Sequence, residues 1–205
     1  MFNITYQNAA SPLIEKILYF HDWLIIFLII ISFITIGGIY ILKNRITHRS
    51  KIDSNELETV WTVLPVFILI GIGVPSLQLL YIVEGDVTSQ QTIKAIGHQW
   101  YWQYDYPEIP SFHSYLVNRN YRNLEVDNRL LVPRHSGVQM LISAADVLHS
   151  WTLPVLGVKA DAVPGRVNKL NLINKRPGIY FGQCREICGS NHRFMPIRVE
   201  CSCFN

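Results

Sequence analysis

From Trp23 to Leu42 the chain runs twenty residues without a formal charge. At ~1.5 Å per residue such a helix is about 30 Å long, the thickness of a hydrocarbon core. A buried globular helix is normally shorter and amphipathic, so the pattern predicts a membrane span. A second charge-free stretch begins near Thr59 and reaches about Val83, interrupted by Pro65, Gly71, Gly73 and Pro75. Such breakers are commoner in spanning helices than in soluble ones. Asp53 and Glu56 ahead of it fit a capping box. The intervening loop, residues 43–58, carries Lys43, Arg45, Arg49 and Lys51, whereas residues 1–22 set Lys16 against Glu15 and Asp22. Excess Lys and Arg assign the loop to the inside face, leaving residues 1–22 and everything after Val83 outside. Residues 1–22 are mixed and polar and lack the basic-then-apolar build of a cleavable signal peptide.

Beyond Thr92 the pattern changes to short branched or aromatic runs between turns. Strands are predicted at Leu124–Val132, Val138–Ser143, Arg166–Ile173, Gly178–Cys184 and Met195–Cys203, punctuated by Pro133, Gly137, Pro154, Gly157, Pro164-Gly165 and Pro177-Gly178. Many short strands without long helical patterns predict a sandwich or barrel over residues 84–205. In Gly97-His-Gln-Trp-Tyr-Trp-Gln-Tyr-Asp-Tyr106 a period of two aligns Trp100, Trp102, Tyr104 and Tyr106 on one strand face. Three of these rings are expected in the core. His98 reads as an ordinary hydrogen-bonded histidine.

Composition agrees with a chain partly in lipid: 49% of the 205 residues are hydrophobic and only 16% charged, with a mean hydropathy of +0.19. A formal net charge of +3 is too small to argue for nucleic acid, and no basic aromatic stripe suggests it. All four cysteines fall in the last 22 residues. Cys201 and Cys203 alternate faces on a strand, which makes a mutual disulfide difficult, and both read as incidental.

The chemistry concentrates in Cys184-Arg-Glu-Ile-Cys-Gly-Ser-Asn-His-Arg-Phe-Met195. Two thiolates, an imidazole and a thioether form a soft ligand set: zinc rarely takes a thioether, and magnesium or calcium would want oxygen, so the set points to copper. His149, 35 residues upstream in the loop expected after Val138–Ser143, can close it. If both thiolates bridge, two coppers each receive a histidine, with Met195 as a weak axial ligand. The alternative for Cys184 and Cys188 is a disulfide or a reactive pair.

Cys-x-Glu-x-Cys-x-x-x-His-x-x-Met-Pro with the upstream His-Ser-Trp resembles cytochrome c oxidase subunit II, whose motif holds the dinuclear copper centre CuA. The resemblance covers roughly residues 20–200. It implies a two-helix transmembrane hairpin (residues 23–83) followed by an all-β cupredoxin-like Greek-key barrel. It also implies two coppers on His149, Cys184, Cys188, His192, Met195 and the Glu186 carbonyl, and a magnesium on the Glu186 carboxylate shared with the catalytic subunit. Trp100 becomes the residue that receives electrons from cytochrome c. Glu58, at the inner lip of the second span, becomes a candidate mouth of a proton path, although an acid there is otherwise a capping residue. Asp161 and Arg166 match a segment near the subunit contact. Expected partners are the haem-bearing catalytic subunit, other oxidase subunits, cytochrome c and lipid, in the mitochondrial inner membrane with the copper domain in the intermembrane space. The implied activity is electron transfer from cytochrome c to haem for oxygen reduction, coupled to proton pumping.

The sequence departs from the family where small residues usually stand: Arg185 follows the first cysteine and Arg193 the ligand histidine. Ala145 stands where an acid is common, and Ser-Phe-His-Ser has His113 in an acid's place. From Glu84 onward there are 13 Lys plus Arg against 10 acids, so the outward domain is net positive. A membrane-tethered copper chaperone is the rival reading, but it leaves His192 and Met195 without a role.

Overall fold

The computed structural model describes residues 7–44, 54–85, 88–117 and 123–202. It divides into a helical unit, residues 16–85, and a β unit made of residues 86–205 together with residues 1–15.

Helix α1 (Pro12–Asn44) and helix α2 (Asn55–Glu84) form the helical unit. Their most apolar windows have no buried residue, so side chains such as Phe33, Ile34, Phe67 and Leu69 stand exposed. In water that surface would cost about 25 cal/mol per Å²; in hydrocarbon it costs nothing. α2 tolerates Pro65 and Pro75 within its length. Its N-cap is Ser54, whose hydroxyl accepts from Leu57 N at 3.3 Å; Asp53, expected in a capping box, lies outside the described residues, as do Arg45, Arg49 and Lys51 of the loop. Glu58 sits exposed in the first turn of α2.

α1 starts eleven residues before the charge-free stretch. Pro12 occupies the first helical position, and Ser11 Oγ accepts from Ile14 N at 3.2 Å while donating to Leu156 O at 2.7 Å. The segment ahead of the helix is bonded to the β unit: Ala10 N donates to Val155 O, Lys175 N to Ala10 O, and Arg176 Nη2 to Asn8 O. Ala10, Ser11 and Ile14 are buried there.

The β unit contains strands β1 (Ser89–His98), β2 (Tyr101–Asp105), β3 (Phe112–Ser114), β4 (Leu130–Pro133), β5 (Gly137–Ala144), β6 (His149–Leu153), β7 (Val158–Ala162), β8 (Asn168–Ile173), β9 (Gly178–Gln183) and β10 (Pro196–Ser202). One sheet has the order β3-β2-β1-β5-β8, a second β4-β10-β9, and β6 pairs β7. β1–β5 and β4–β10 are parallel, the rest antiparallel. The sheets close over Ile93, Trp102, Tyr104, Met140, Ile142, Trp151, Leu153 and Ile197, all fully buried. β5 alternates buried and half-buried positions along its whole length, the mark of a strand with one face on a core.

Three expectations need correction. The run predicted as one strand over Leu124–Val132 pairs as a strand only from Leu130; before that, Val126 makes a lone bridge to Leu116. Trp100 is in the turn between β1 and β2 rather than on a strand face, so Trp102 and Tyr104 are buried while Trp100 is not. His149 opens strand β6 instead of lying in a loop, its backbone paired with Ala162.

Candidate metal centre

The ligand residues come from two places. β6 begins at His149, and Cys184 to Met195 form the connection from β9 to β10, including a 3-10 turn at His192–Phe194. The connection is closed at its base by Cys184 N donating to Met195 O at 3.0 Å, and tied to β6 by Arg185 N donating to Ser150 O at 3.1 Å. Each donor is therefore referenced to a strand.

Cys184 Sγ lies 4.0 Å from Cys188 Sγ and 3.9 Å from His149 Nδ1, and Cys188 Sγ lies 3.4 Å from His192 Nδ1. The Glu186 carbonyl is 3.4 Å from Cys184 Sγ. His149, Cys184 and Cys188 are buried with their ligand atoms mutually within 4.8 Å; Met195 is buried too. The cysteines are free thiols, so the disulfide alternative does not hold here. The chain thus brings together His149, Cys184, Cys188 and His192 of the expected copper set, and buries Met195 on the same connection.

The imidazole orientation decides which nitrogen faces the sulfurs. His149 Nε2 is 2.8 Å from Asp146 Oδ1. Asp146 in turn accepts from Gln99 N and Val147 N, both at 2.6 Å. A carboxylate on Nε2 keeps the proton there and leaves Nδ1 as a lone pair towards the thiols, the arrangement that orients metal-ligating histidines. Partial burial opposes charge on Asp146, but the hydrogen bonds from His149 and the two amides outweigh it and hold its carboxyl below the usual range. Burial likewise opposes ionisation of Cys184, yet bonding to His149 holds its thiol down. Burial, then the neighbouring Cys184, pushes Cys188 up to about 12. Without a cation, two thiolates 4.0 Å apart repel; a bound cation removes that conflict.

Two positioning residues escaped the sequence reading. Asp146 was given no role beside His149. Gly97 was read as part of an aromatic strand, but a Cβ there would lie 2.8 Å from His149 Cδ2 and 2.9 Å from Cγ. A glycine inside a strand pattern signals close approach of another group, and that was the available clue.

Trp100 stands over the connection, its Nε1 donating to Cys188 O at 3.1 Å, beside Gln99 Nε2 at 2.9 Å to the same oxygen. His98 differs from expectation: among the described residues its Nε2 has no hydrogen-bond partner, and its ring stacks on Tyr101 with centroids 4.6 Å apart. Arg185 and Arg193 are exposed, with Arg193 over the Phe194 ring at 5.1 Å. Asp161 and Arg166 are also exposed, Asp161 3.4 Å from Lys159 Nζ. Cys201 is buried in β10, away from this loop in sequence, and Cys203 lies outside the described residues.

The family model for the periplasmic domain of cytochrome c oxidase subunit II matches residues 91–202, and that for its transmembrane domain matches residues 1–79. The chain belongs to the cytochrome c oxidase subunit II family. As a subunit II it is part of a haem–copper oxidase, an oxidoreductase complex, and serves electron transfer there. It is a membrane protein with two spanning helices and a C-terminal soluble domain of cupredoxin-like fold. The crystal structure of the periplasmic domain of subunit II of cytochrome oxidase (CoxB) of Bradyrhizobium japonicum is 40% identical, with a TM-score of 0.55, covering 57% of this chain and 86% of that one. A mixed-disulfide intermediate between the thioredoxin-like TlpAs and subunit II of cytochrome c oxidase is 41% identical, TM-score 0.51, covering 58% and 87%. A haem–copper terminal oxidase dimer solved by cryo-electron microscopy is 18% identical with a TM-score of 0.50, covering 72% and 100%, and speaks to the fold alone. Membership of this family together with the Cys and His cluster suggests a copper-binding site.

Proposed function

We propose that this subunit II takes electrons one at a time from cytochrome c and passes them to haem in the catalytic subunit, which reduces oxygen to water with coupled proton pumping. The observation that carries the reading is the pairing of sulfurs and imidazoles: each thiol has its own histidine Nδ1 within 3.9 Å, and the two thiols are 4.0 Å apart. That donor set fits two coppers better than one, because one ion cannot use both sulfur–imidazole pairs and leave Met195 and the Glu186 carbonyl a role. Cys184, Cys188, His149, His192 and Met195 would hold the ions through side chains and Glu186 through its carbonyl. Bound copper would supply one-electron redox chemistry shared across the pair.

The protein's own contribution is fixed placement. Ligands anchored at strand ends move little, so little reorganisation accompanies a change of charge. Asp146 holds the His149 tautomer, the buried setting of Met195 and Cys184 excludes water, and Trp100 presents a partly exposed ring bonded to the Cys188 carbonyl, a direct route into the ligand loop.

The Glu186 carboxylate is assigned to a magnesium shared with the catalytic subunit, and Glu58 to the mouth of a proton path. The setting is the mitochondrial inner membrane, with the copper domain in the intermembrane space. The bonding of residues 8–15 to the β unit supports the expected topology, in which the N-terminus and the copper domain share one side. The TlpAs complex concerns a relative; by analogy, Cys184 and Cys188 must be reduced before copper is loaded.

The test is metal content and reduction kinetics of the purified full-length chain in nanodiscs. Two coppers per chain, reduced by ferrocytochrome c and slowed at least tenfold by Trp100→Ala with copper content unchanged, is the expected result. One exchangeable copper per chain would instead favour a chaperone.

A further inference from the structure

The candidate ligands rest on two separate supports. His149 opens β6 and leans through Nε2 on Asp146, whereas Cys188 and His192 sit on the far limb of the β9–β10 connection. The near end of that connection is fixed by Cys184 N on Met195 O and Arg185 N on Ser150 O. Its far limb is held from a different element, the turn Gln99–Trp100 between β1 and β2. Gln99 Nε2 donates to Cys188 O at 2.9 Å and Trp100 Nε1 donates to the same oxygen at 3.1 Å. Both lone pairs of that carbonyl are thereby used.

Gln99 reaches the other support as well. Its backbone N donates to Asp146 Oδ2 at 2.6 Å, while Oδ1 of the same carboxylate accepts from Val147 N at 2.6 Å and faces His149 Nε2 at 2.8 Å. One residue therefore joins the carboxylate that orients His149 to the peptide that carries Cys188. The chain is shaped for this contact. Gly189 has φ 120°, and a Cβ on it would lie 3.3 Å from Gln99 Nε2 and 3.1 Å from Trp100 Cζ2, so a side chain there would disturb both bonds. Ala145 N donates to Gly97 O at 3.0 Å, which fixes the end of β1 beside the segment bearing Asp146. Gln99 itself is exposed, so core packing does not account for it.

Resting on the two-copper reading above, we propose that Gln99 is a positioning residue of the metal centre: it braces the Cys188–His192 limb against the Asp146–His149 pair and so sets the spacing of the two thiols. That spacing, 4.0 Å between the Sγ atoms, is far longer than a disulfide, whose sulfurs lie about 2.05 Å apart. Trp100 shares the Cys188 oxygen, but the bond to Asp146 belongs to Gln99, so the brace persists without the indole. Without the Gln99 amide, the limb is free to shift relative to His149.

The test uses the full chain in nanodiscs. Gln99→Met keeps the length of the side chain without its donor, and Gln99→Glu turns an acceptor towards the carbonyl. Gln103→Met is the control, removing a like amide that bonds Asp105 Oδ1 at 2.9 Å on the same strand pair. In the copper-loaded chains, both Gln99 variants should show the unpaired electron shared unequally between two nuclei by electron paramagnetic resonance. Their hold on copper against a chelator should weaken about tenfold or more, with Gln103→Met like the wild type. In the metal-free chains, closure of Cys184 and Cys188 by oxidised glutathione is timed, two thiols giving one disulfide and two glutathione thiols. Both Gln99 variants should close about fivefold faster, because the limb is freer to bring its thiol into reach. The unfolding midpoint should stay within about 2 °C of the wild type, as for other exposed substitutions. Wild-type behaviour of either Gln99 variant in either arm overturns the proposal, as does a fall in midpoint that accompanies the losses or the same losses in Gln103→Met. If the wild-type chain holds a single copper, the two-copper reading fails and the metal-free arm decides the brace alone.

Discussion

Gly97→Ala tests whether the copper histidine is held by shape. Gly97 lies in the middle layer of the large sheet, between Trp102 of β2 and Ala144 of β5. A methyl there would meet the His149 ring at 2.8 and 2.9 Å and its Cβ at 3.0 Å, where carbon atoms prefer about 3.5 Å or more. The ring must then retreat by roughly 0.7 Å to restore ordinary contact. It has little freedom to do so: His149 is fully buried, its Nε2 is bonded to Asp146, its backbone is paired in β6, and Trp102 stands edge-on at 6.1 Å. Overpacking of this kind costs about 1–3 kcal/mol, and the displacement exceeds the ~0.5 Å within which a metal constellation must be held. The expected outcome is a lower unfolding midpoint of the metal-free chain and at least a tenfold weaker hold on copper, with a changed absorption spectrum. Thermal unfolding and copper competition titration measure both. Gly73→Ala, with nothing within 4 Å of its new Cβ, is the control. Wild-type stability and an unaltered spectrum for Gly97→Ala would refute the idea that this close approach seats the histidine.

Three further outcomes follow from the same geometry. Asp146→Asn keeps the size but loses the anionic partner of His149 Nε2; copper affinity should fall about 10–100-fold in a competition titration, with an unfolding midpoint changed little. Tyr106, whose hydroxyl donates to Leu131 O and accepts from Leu131 N, has its pKa pushed up to about 12, chiefly by burial. A raised phenol favours folding while it stays neutral, so this contribution is intact below pH ~10 and is lost as pH rises from there through about 12; alkaline unfolding followed by circular dichroism should shift for Tyr106→Phe. Arg198 is buried on β10, paired with Glu125 and set over the Phe181 ring. Arg198→Met alone should destabilise by about 3–5 kcal/mol in denaturant unfolding, because it strands a partly buried carboxylate, whereas Arg198→Met with Glu125→Gln should recover most of that loss.

How much of this was legible in the residues differs by element. Both spans were visible because lipid demands long charge-free runs, and nothing else in the chain has them. The start of α1 was not, because a helix outside lipid can run through Glu15, Lys16 and Asp22; the Ser11-Pro12 pair was the better signal. The proposed copper set stood out as a cluster since four of its residues share one short connection, so spacing alone constrains their geometry. His149 meets the cysteines from the start of a strand instead of from a loop: β6 is only five residues long and is followed at once by Pro154, too short to show a period. Trp100 looked like a strand residue because alternation of aromatics continues straight through a turn. Asp146 and Gly97 act only through His149, and that relation exists only once β1 and β6 meet.

The central claim is that one short loop and one histidine hold two coppers as a single redox unit. Electron paramagnetic resonance of the oxidised, copper-loaded full chain tests it most directly. The account predicts the hyperfine pattern of one unpaired electron shared equally by two copper nuclei, lost in Cys184→Ser and in Cys188→Ser. The pattern of a single isolated cupric ion in the wild-type chain would contradict it.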